Sequence, residues 1–291
     1  MQRNLVDALT ALAAAPGAEL APAALVIARL EYPRLDAPAY LARLDAMGAS
    51  AREAIDRHVD ATGDGSPLAR TLALNRYLFD AERFNGNRAR YEDPRNSCLN
   101  EVLDRRTGIP ITLSLVYMEV WRRAGLRIDG VNFPGHFLAR VATGVPRDGG
   151  LIVDAFHAGA RLSEPDCRQL LQKHVGAEVA FSPSLLAPAT RTEILVRMLL
   201  NLKRTYVHMR SFPQARDATE LLLAMTPSAL GELRDRGLLA YHLNDMTSAL
   251  RDLQTYLKLA GVGEANRETR EEHQQIWEHV KTLRRRIAAL N

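Results

Sequence analysis

The stretch GIPITLSLVYMEVWRRAGLRIDGVNFPGHFLARV, residues 108–141, runs an amphipathic segment into an extended one that carries a single histidine, His136. Leu113, Val116, Tyr117, Val120, Trp121 and Ala124 recur at the spacing of one helix face, and Gly125 is suited to stop the helix. The pattern predicts a helix that begins at Pro110 and is buried along that stripe. Beyond it the period falls to two. "HFLARV" and "LIVDAF" read as strands, and the "ATGVPRDGG" between them has the proline and glycines of a turn.

Pairing these strands as a hairpin centred on Val145 puts His136 directly opposite Asp154, with Leu138 opposite Ile152. Directly opposed side chains share a face, with Cβ atoms roughly 4.5–5.5 Å apart. A slip of one residue would send Asp154 to the other face, so the inference depends on parity. A histidine oriented by an aspartate is the base half of a nucleophilic triad. The structural alternative is a histidine that ends a loop and an aspartate that binds backbone.

The 291 residues are 47% hydrophobic and 25% charged, the balance of a soluble globular chain of one large or two ordinary domains. The net charge of +4, from 38 basic and 34 acidic residues, is too small to argue for nucleic acid. Cys98 and Cys167 are far apart and lack Cys-x-x-Cys spacing, so neither a disulfide framework nor a thiolate metal site is expected, and a reducing cytoplasm fits. The eight histidines show no His-x-x-x-His or His-Glu-x-x-His spacing, so no metal site is expected and no cofactor is implied. No apolar run approaches the roughly 18 residues of a membrane span. The N-terminal "MQRNLVDALTALAAAPGAELA" reads as an amphipathic helix rather than a signal peptide, because Asp7 interrupts its apolar run.

The first 60 residues or so read as Ala-rich helices broken at "APGAEL", at "EYPRLD" and by Gly48; "ATGDGSP" is a loop, and "LARTLALNRYLF" resumes helical periodicity. Residues 93–106 open with Asp-Pro, a helix-starting pair, and Gly108 ends that helix. "GDG" and "GVGEAN" lack the context of a phosphate-cradling loop. A composition shift at "FSPSLLAPAT", residues 181–190, marks a boundary between a domain of residues 1–182 and one of residues 188–291.

Past that boundary everything is helical and a repeat emerges. Phe212, Ala215, Leu223 and Met225 are matched 34 positions on by Met246, Ala249, Leu257 and Leu259, and a 34-residue period of paired helices is the mark of tetratricopeptide repeats. The match is partial. Leu222 and Tyr256 stand where a small residue is usual, and Arg236 where an apolar one is. A charged terminal helix, about residues 267–290, would cap the stack. "LRDRGLL" puts Arg234, Asp235 and Arg236 on the first helix of a repeat, where such residues hold a peptide or pair with the first domain.

Taken together, "YEDPRNSCLNEVLDRRTGIPITLSLVYMEVWRRAGLRIDGVNFPGHFLARV", "LIVDAFHAG", "RMLLNLKRTY" and "LRDRGLLAYHL" resemble the bacterial SirB family of transglutaminase-like proteins with C-terminal tetratricopeptide repeats. The similarity runs from about "EYPRLD" to the helix ending near Leu259. It implies an α+β, helix-rich transglutaminase/papain-like core with a small antiparallel sheet, followed by an all-α repeat domain. In that superfamily a cysteine at the start of a helix attacks an amide carbonyl, a histidine stands on the next strand and an aspartate on the one after. The resemblance assigns His136 and Asp154 to the last two roles. Pro110 stands where the cysteine belongs. Proline cannot attack a carbonyl, so the likeness stops short of the nucleophile.

Other nucleophiles can be weighed. Cys98 lies near the start of the preceding helix, where the helix dipole lowers a thiol pKa, but it also shares an apolar stripe with Val102. Thr112 and Ser114 sit on the first turns after Pro110 and would need a base within reach. Cys167 follows a Ser-Glu-Pro helix opening and reads as core, and His157 as a turn residue able to line the same cleft. The expected protein is cytoplasmic and binds a protein or peptide partner through its repeats, as a regulatory module or pseudoenzyme. The rival expectation is a cysteine hydrolase or acyltransferase using Cys98 with His136 and Asp154.

Overall fold

The computed structural model describes residues 2–15, 19–144, 150–260 and 267–288. The expected hairpin centre at Val145 and the "GVGEAN" segment lie outside the described residues. The chain divides into two compact units, residues 11–198 and residues 199–291 together with residues 1–10.

Four helices lead in: α1 (Gln2–Ala14), α2 (Leu20–Ala28), α3 (Ala37–Thr62) and α4 (Pro67–Asn75), the last extended by a π-helical turn, Arg76–Ala81. Local chemistry fixes the starts of α3 and α4. Asp36 accepts the Ala39 N–H at 3.2 Å and Ser66 accepts that of Ala69 at 3.2 Å, each beside a proline in the first turn. Gly48 does not break α3 as its sequence context suggests. It lies mid-helix, where a Cβ would collide with the Arg123 side chain, so the glycine permits close helix packing.

The single helix expected over residues 93–106 is two pieces. Asp93 accepts the Arg95 N–H at 3.0 Å and starts a 3-10 turn, Pro94–Ser97. Cys98, extended at φ −97° and ψ 117°, then caps α5 (Leu99–Arg105). Arg106 in the left-handed region (φ 57°), rather than Gly108, ends it. Thr107–Gly108 (β2) pairs in parallel with Asn85–Gly86 (β1).

Next comes α6 (Pro110–Arg123), and Gly125 at φ 86° follows it. The sequence predicts one buried stripe, yet every residue from Pro110 to Trp121 is buried. Burial on all sides is tolerable because each polar side chain has a partner. Thr112 accepts the Ile109 N–H at 3.1 Å and donates to the Asn96 carbonyl at 2.7 Å. Ser114 donates to the Phe137 carbonyl at 3.4 Å. Glu119 accepts the Leu20 N–H at 3.0 Å, so it caps α2, and it pairs with Arg123.

A four-stranded antiparallel meander follows: β3 (Ile128–Val131), β4 (Leu138–Val141), β5 (Leu151–Asp154) and β6 (Ala160–Leu162). Ala139 faces Val153 and Arg140 faces Ile152, a register two residues away from the expected one. Helix α7 (Glu164–Val175) is capped reciprocally by Ser163 and Asp166. Its Cys167 and Leu171 pack with Val131, Phe133, Leu138 and Ile152 into one apolar cluster.

The breaker-rich segment of residues 181–190 is ordered as a 3-10 turn, Pro183–Leu186, and the compact units divide further on, between Met198 and Leu199 inside α8 (Arg191–His208). Contacts within the first unit explain why the start of α8 belongs to it. Ala189 N–H donates to the Gly130 carbonyl at 2.7 Å, Arg191 reaches the Ala15 carbonyl, and Arg197 donates to Asn132 at 3.0 Å.

The second unit continues with α9 (Phe212–Met225), α10 (Leu230–His242), α11 (Met246–Ala260) and α12 (Arg267–Ala288). The 34-residue period is visible in the helix starts, since α9 opens at Phe212 and α11 at Met246. Ala215 and Ala249, the matched small residues, are both fully buried. Gly237 lies where a Cβ would come within 2.8 Å of Leu253. Ala240, Ala249, Leu253 and Tyr256 form a core with Ile276, Val280 and Leu283 of α12, which caps the stack. Arg234 pairs with Asp235 at 2.7 Å, and Lys203 bridges Glu232 and Asp235.

The repeat explains the misfit at Arg236. The first repeat carries Leu202 and Ala218, both fully buried; one period later these positions hold Arg236 and Asp252. Arg236 grips the buried Asp252 with two bonds, of 2.6 and 3.1 Å, so an ion pair stands where the earlier repeat has apolar residues. Arg236→Leu is expected to cost about 2–3 kcal/mol because it strips a buried carboxylate of its main partner. Adding Asp252→Ala, which recreates the first repeat's pair, should restore most of that loss in urea denaturation.

Candidate functional site

The site gathers at one end of the meander. Phe133 accepts the His136 N–H at 3.1 Å, closing a turn through Gly135, whose φ of 70° suits glycine. A Cβ on Gly135 would collide with His174 of α7, so the glycine also lets α7 approach. His136 is therefore a loop residue two positions before β4, not a strand residue. It still meets Asp154 because a register offset of two preserves parity.

His136 Nε2 lies 2.9 Å from Asp154 Oδ2, with the two residues 3% and 1% exposed. Asp154 ends β5, and its Oδ1 accepts the Phe156 and His157 N–H groups at 3.0 and 3.3 Å, capping the 3-10 turn Ala155–His157. The same turn brings His157 Nδ1 to 2.7 Å from Asp154 Oδ2. His174 stacks on His136, with ring centroids 5.5 Å apart.

This turn is braced from behind. Tyr117 of α6 donates to Asn75 at 3.0 Å, Asn75 donates to the Gly159 carbonyl at 2.8 Å, and the Gly159 N–H returns to the Asp154 carbonyl at 2.9 Å. The buried stripe of α6 thus sets the position of the carboxylate that faces His136.

Burial opposes the charge on Asp154, but hydrogen bonds and charge from His136 and then His157 outweigh it and hold the carboxyl below its usual range. The His174 pKa is lowered by burial first, then by the neighbouring His136 and Lys173. With Nε2 of His136 on the carboxylate, Nδ1 is the nitrogen left for a base.

The sequence candidates divide sharply. His136, Asp154 and His157 come together. Cys98 is 1% exposed, and burial, then Glu31 and Glu101, push its thiol far up. Of the two sequence readings of Cys98, dipole activation and core burial, burial prevails, and desolvation outweighs the helix dipole. Cys167 is fully buried beneath the sheet, its thiol pushed up to about 11 by burial, then by Asp166 and Glu164. Among the described residues neither thiol hydrogen-bonds to His136. Pro110 is the buried first residue of α6, and the Thr112 and Ser114 hydroxyls are engaged with backbone carbonyls. Sequence reading misses His174 and Asn75 altogether; "PGH" signals a close approach at Gly135 but not what approaches.

Comparison with known proteins agrees with this architecture. Residues 38–200 match the family model described as the transglutaminase-like superfamily, and residues 202–276 a tetratricopeptide repeat model. The chain belongs to the transglutaminase-like superfamily. It is 40% identical over 239 residues to the UPF0162 protein of Xylella fastidiosa strain Temecula1, covering 81% of this chain and 82% of that one. Over 182 residues it is 36% identical to mouse F-box only protein 21, which covers 59% of this chain and 28% of that protein. Protein SirB1 of Salmonella typhimurium is 26% identical over 161 residues, 55% of this chain and 58% of its own, so the SirB-like resemblance holds.

Both thiols should alkylate at least about 100-fold more slowly in the native chain than in urea at neutral pH, since native reaction requires opening of a buried site. Iodoacetamide labelling read by mass spectrometry checks this, and fast native labelling of Cys98 would restore it as a nucleophile.

Proposed function

We propose that this transglutaminase-like protein with tetratricopeptide repeats is a protein-binding or regulatory module that has no cysteine-based acyl transfer. The observation that carries the reading is that α6 begins at the buried Pro110, where the resemblance to the superfamily leads one to expect the cysteine, while His136 and Asp154 are in bonded contact. Repeats of this kind generally mediate protein–protein contacts, which gives the partner its class: a protein or peptide. Among the described residues no helix is long and apolar enough to cross a membrane, and a cytoplasmic setting fits the two free thiols. The likeness of about a quarter of mouse F-box only protein 21 to this region fits a module that serves inside larger proteins.

The rival reading, a cysteine hydrolase or acyltransferase built on Cys98, has His136 and Asp154 in its favour. Against it stand the burial of Cys98 and the upward push on its thiol. Incubating the purified full chain with a glutamine-bearing peptide and a primary amine is expected to give no ammonia and no amide exchange. Turnover that disappears in both Cys98→Ala and His136→Ala would overturn the proposal in favour of the rival.

A further inference from the structure

We infer that His136, Asp154 and His157 form a binding site for one divalent transition-metal ion of the zinc class. Their candidate donor atoms lie within 4.8 Å of one another. The inference goes beyond the proposed function and is independent of it, because a metal ion can occupy these donors whatever the acyl-transfer assay reads.

Three features of the geometry point to a cation. The first is convergence: Nε2 of His136 and Nδ1 of His157 approach the same carboxylate oxygen, at 2.9 and 2.7 Å. A carboxylate that serves only to orient a base needs one such imidazole. Two imidazoles and one carboxylate oxygen are a donor set for zinc, cobalt, nickel or iron(II) rather than for calcium or magnesium, which prefer oxygen.

The second is charge. Asp154 is 1% exposed, and among the described residues no lysine or arginine pairs with it; its only ion-pair partners are the two histidines. A buried carboxylate needs a positive neighbour. A metal ion supplies that charge with both imidazoles neutral, the form in which histidine ligates.

The third is orientation. Oδ1 of Asp154 is held by the backbone N–H groups of Phe156 and His157, which leaves Oδ2 aimed at the two rings, and the stacked His174 steadies the His136 ring. Such outer contacts are what fix ligating groups in metal sites. Bonds of about 2.0–2.1 Å in tetrahedral geometry separate donors by about 3.3 Å, so each imidazole has to withdraw from Oδ2 by roughly 0.5 Å. The His157 side chain, 35% exposed, makes most of that adjustment, with the carboxylate turning to meet the buried His136, and gives the ion a path from solvent. Three protein donors leave a fourth position for water or a partner's side chain.

Titration of the metal-free full chain with zinc chloride by calorimetry, backed by the visible ligand-field spectrum of the cobalt(II) form, tests the site. One equivalent of zinc is expected to bind, at least about 10-fold more weakly in His157→Ala and in Asp154→Asn, the scale of losing one directed ligand contact. Cobalt should give imidazole-ligated bands that fade in both variants. His157→Ala alters a partly exposed turn residue, and its circular dichroism and melting temperature establish that it folds. Zinc should raise the melting temperature of the unaltered chain and not that of His157→Ala. Absence of saturable binding, or binding and spectra unchanged in His157→Ala, would overturn the inference.

Discussion

The structure depends on a helix that meets no solvent along most of its length. Once α6 is buried from Pro110 to Trp121, each of its polar groups must find a protein partner, and those partners organise the surrounding fold. Glu119 caps α2, Thr112 ties down the turn before α5, and Ser114 holds the residue after His136. Tyr117 reaches through Asn75 to the turn that carries His157. Core packing and site geometry are therefore one problem in this unit.

That coupling positions the histidine and the aspartate without any hydrogen bond to a thiol among the described residues. The helix begins at a proline whose missing N–H costs nothing at a first helical position. The helix keeps its scaffolding duty. The loop with His136 and the turn with Asp154 are then held by backbone bonds, by Gly135 and by the Asn75 bridge, none of which requires a thiol.

Much of this was legible in the residues, and the failures have physical causes. The 34-residue period survives because small residues at Ala215 and Ala249 must recur wherever paired helices approach, and parity brought His136 to Asp154 through a wrong register because side-chain alternation has period two. Gly48 misleads because a glycine that admits a neighbouring helix looks like one that ends its own. The all-round burial of α6 is hidden because Thr, Ser and Glu read as a solvated face unless their partners are known. Histidine spacing rules find local ligand sets only; His136 and His157 come from separate elements, and His174 from a third, so no periodicity links them.

The two units handle buried charge differently. In the repeat unit the buried Asp252 meets a permanent cation, and the earlier repeat fills the equivalent positions with Leu202 and Ala218. The same repeat position thus holds apolar packing in one copy and an ion pair in the next, a trade that buried ion pairs often allow. Among the described residues the buried Asp154 pairs with titratable rings rather than a permanent cation, and one of its oxygens is shared between two of them. Stability alone does not call for such a set, because apolar side chains of similar volume would serve a core as well or better. A carboxylate aimed by two backbone N–H groups at two imidazoles is better understood as a place prepared for something that neither ring supplies by itself.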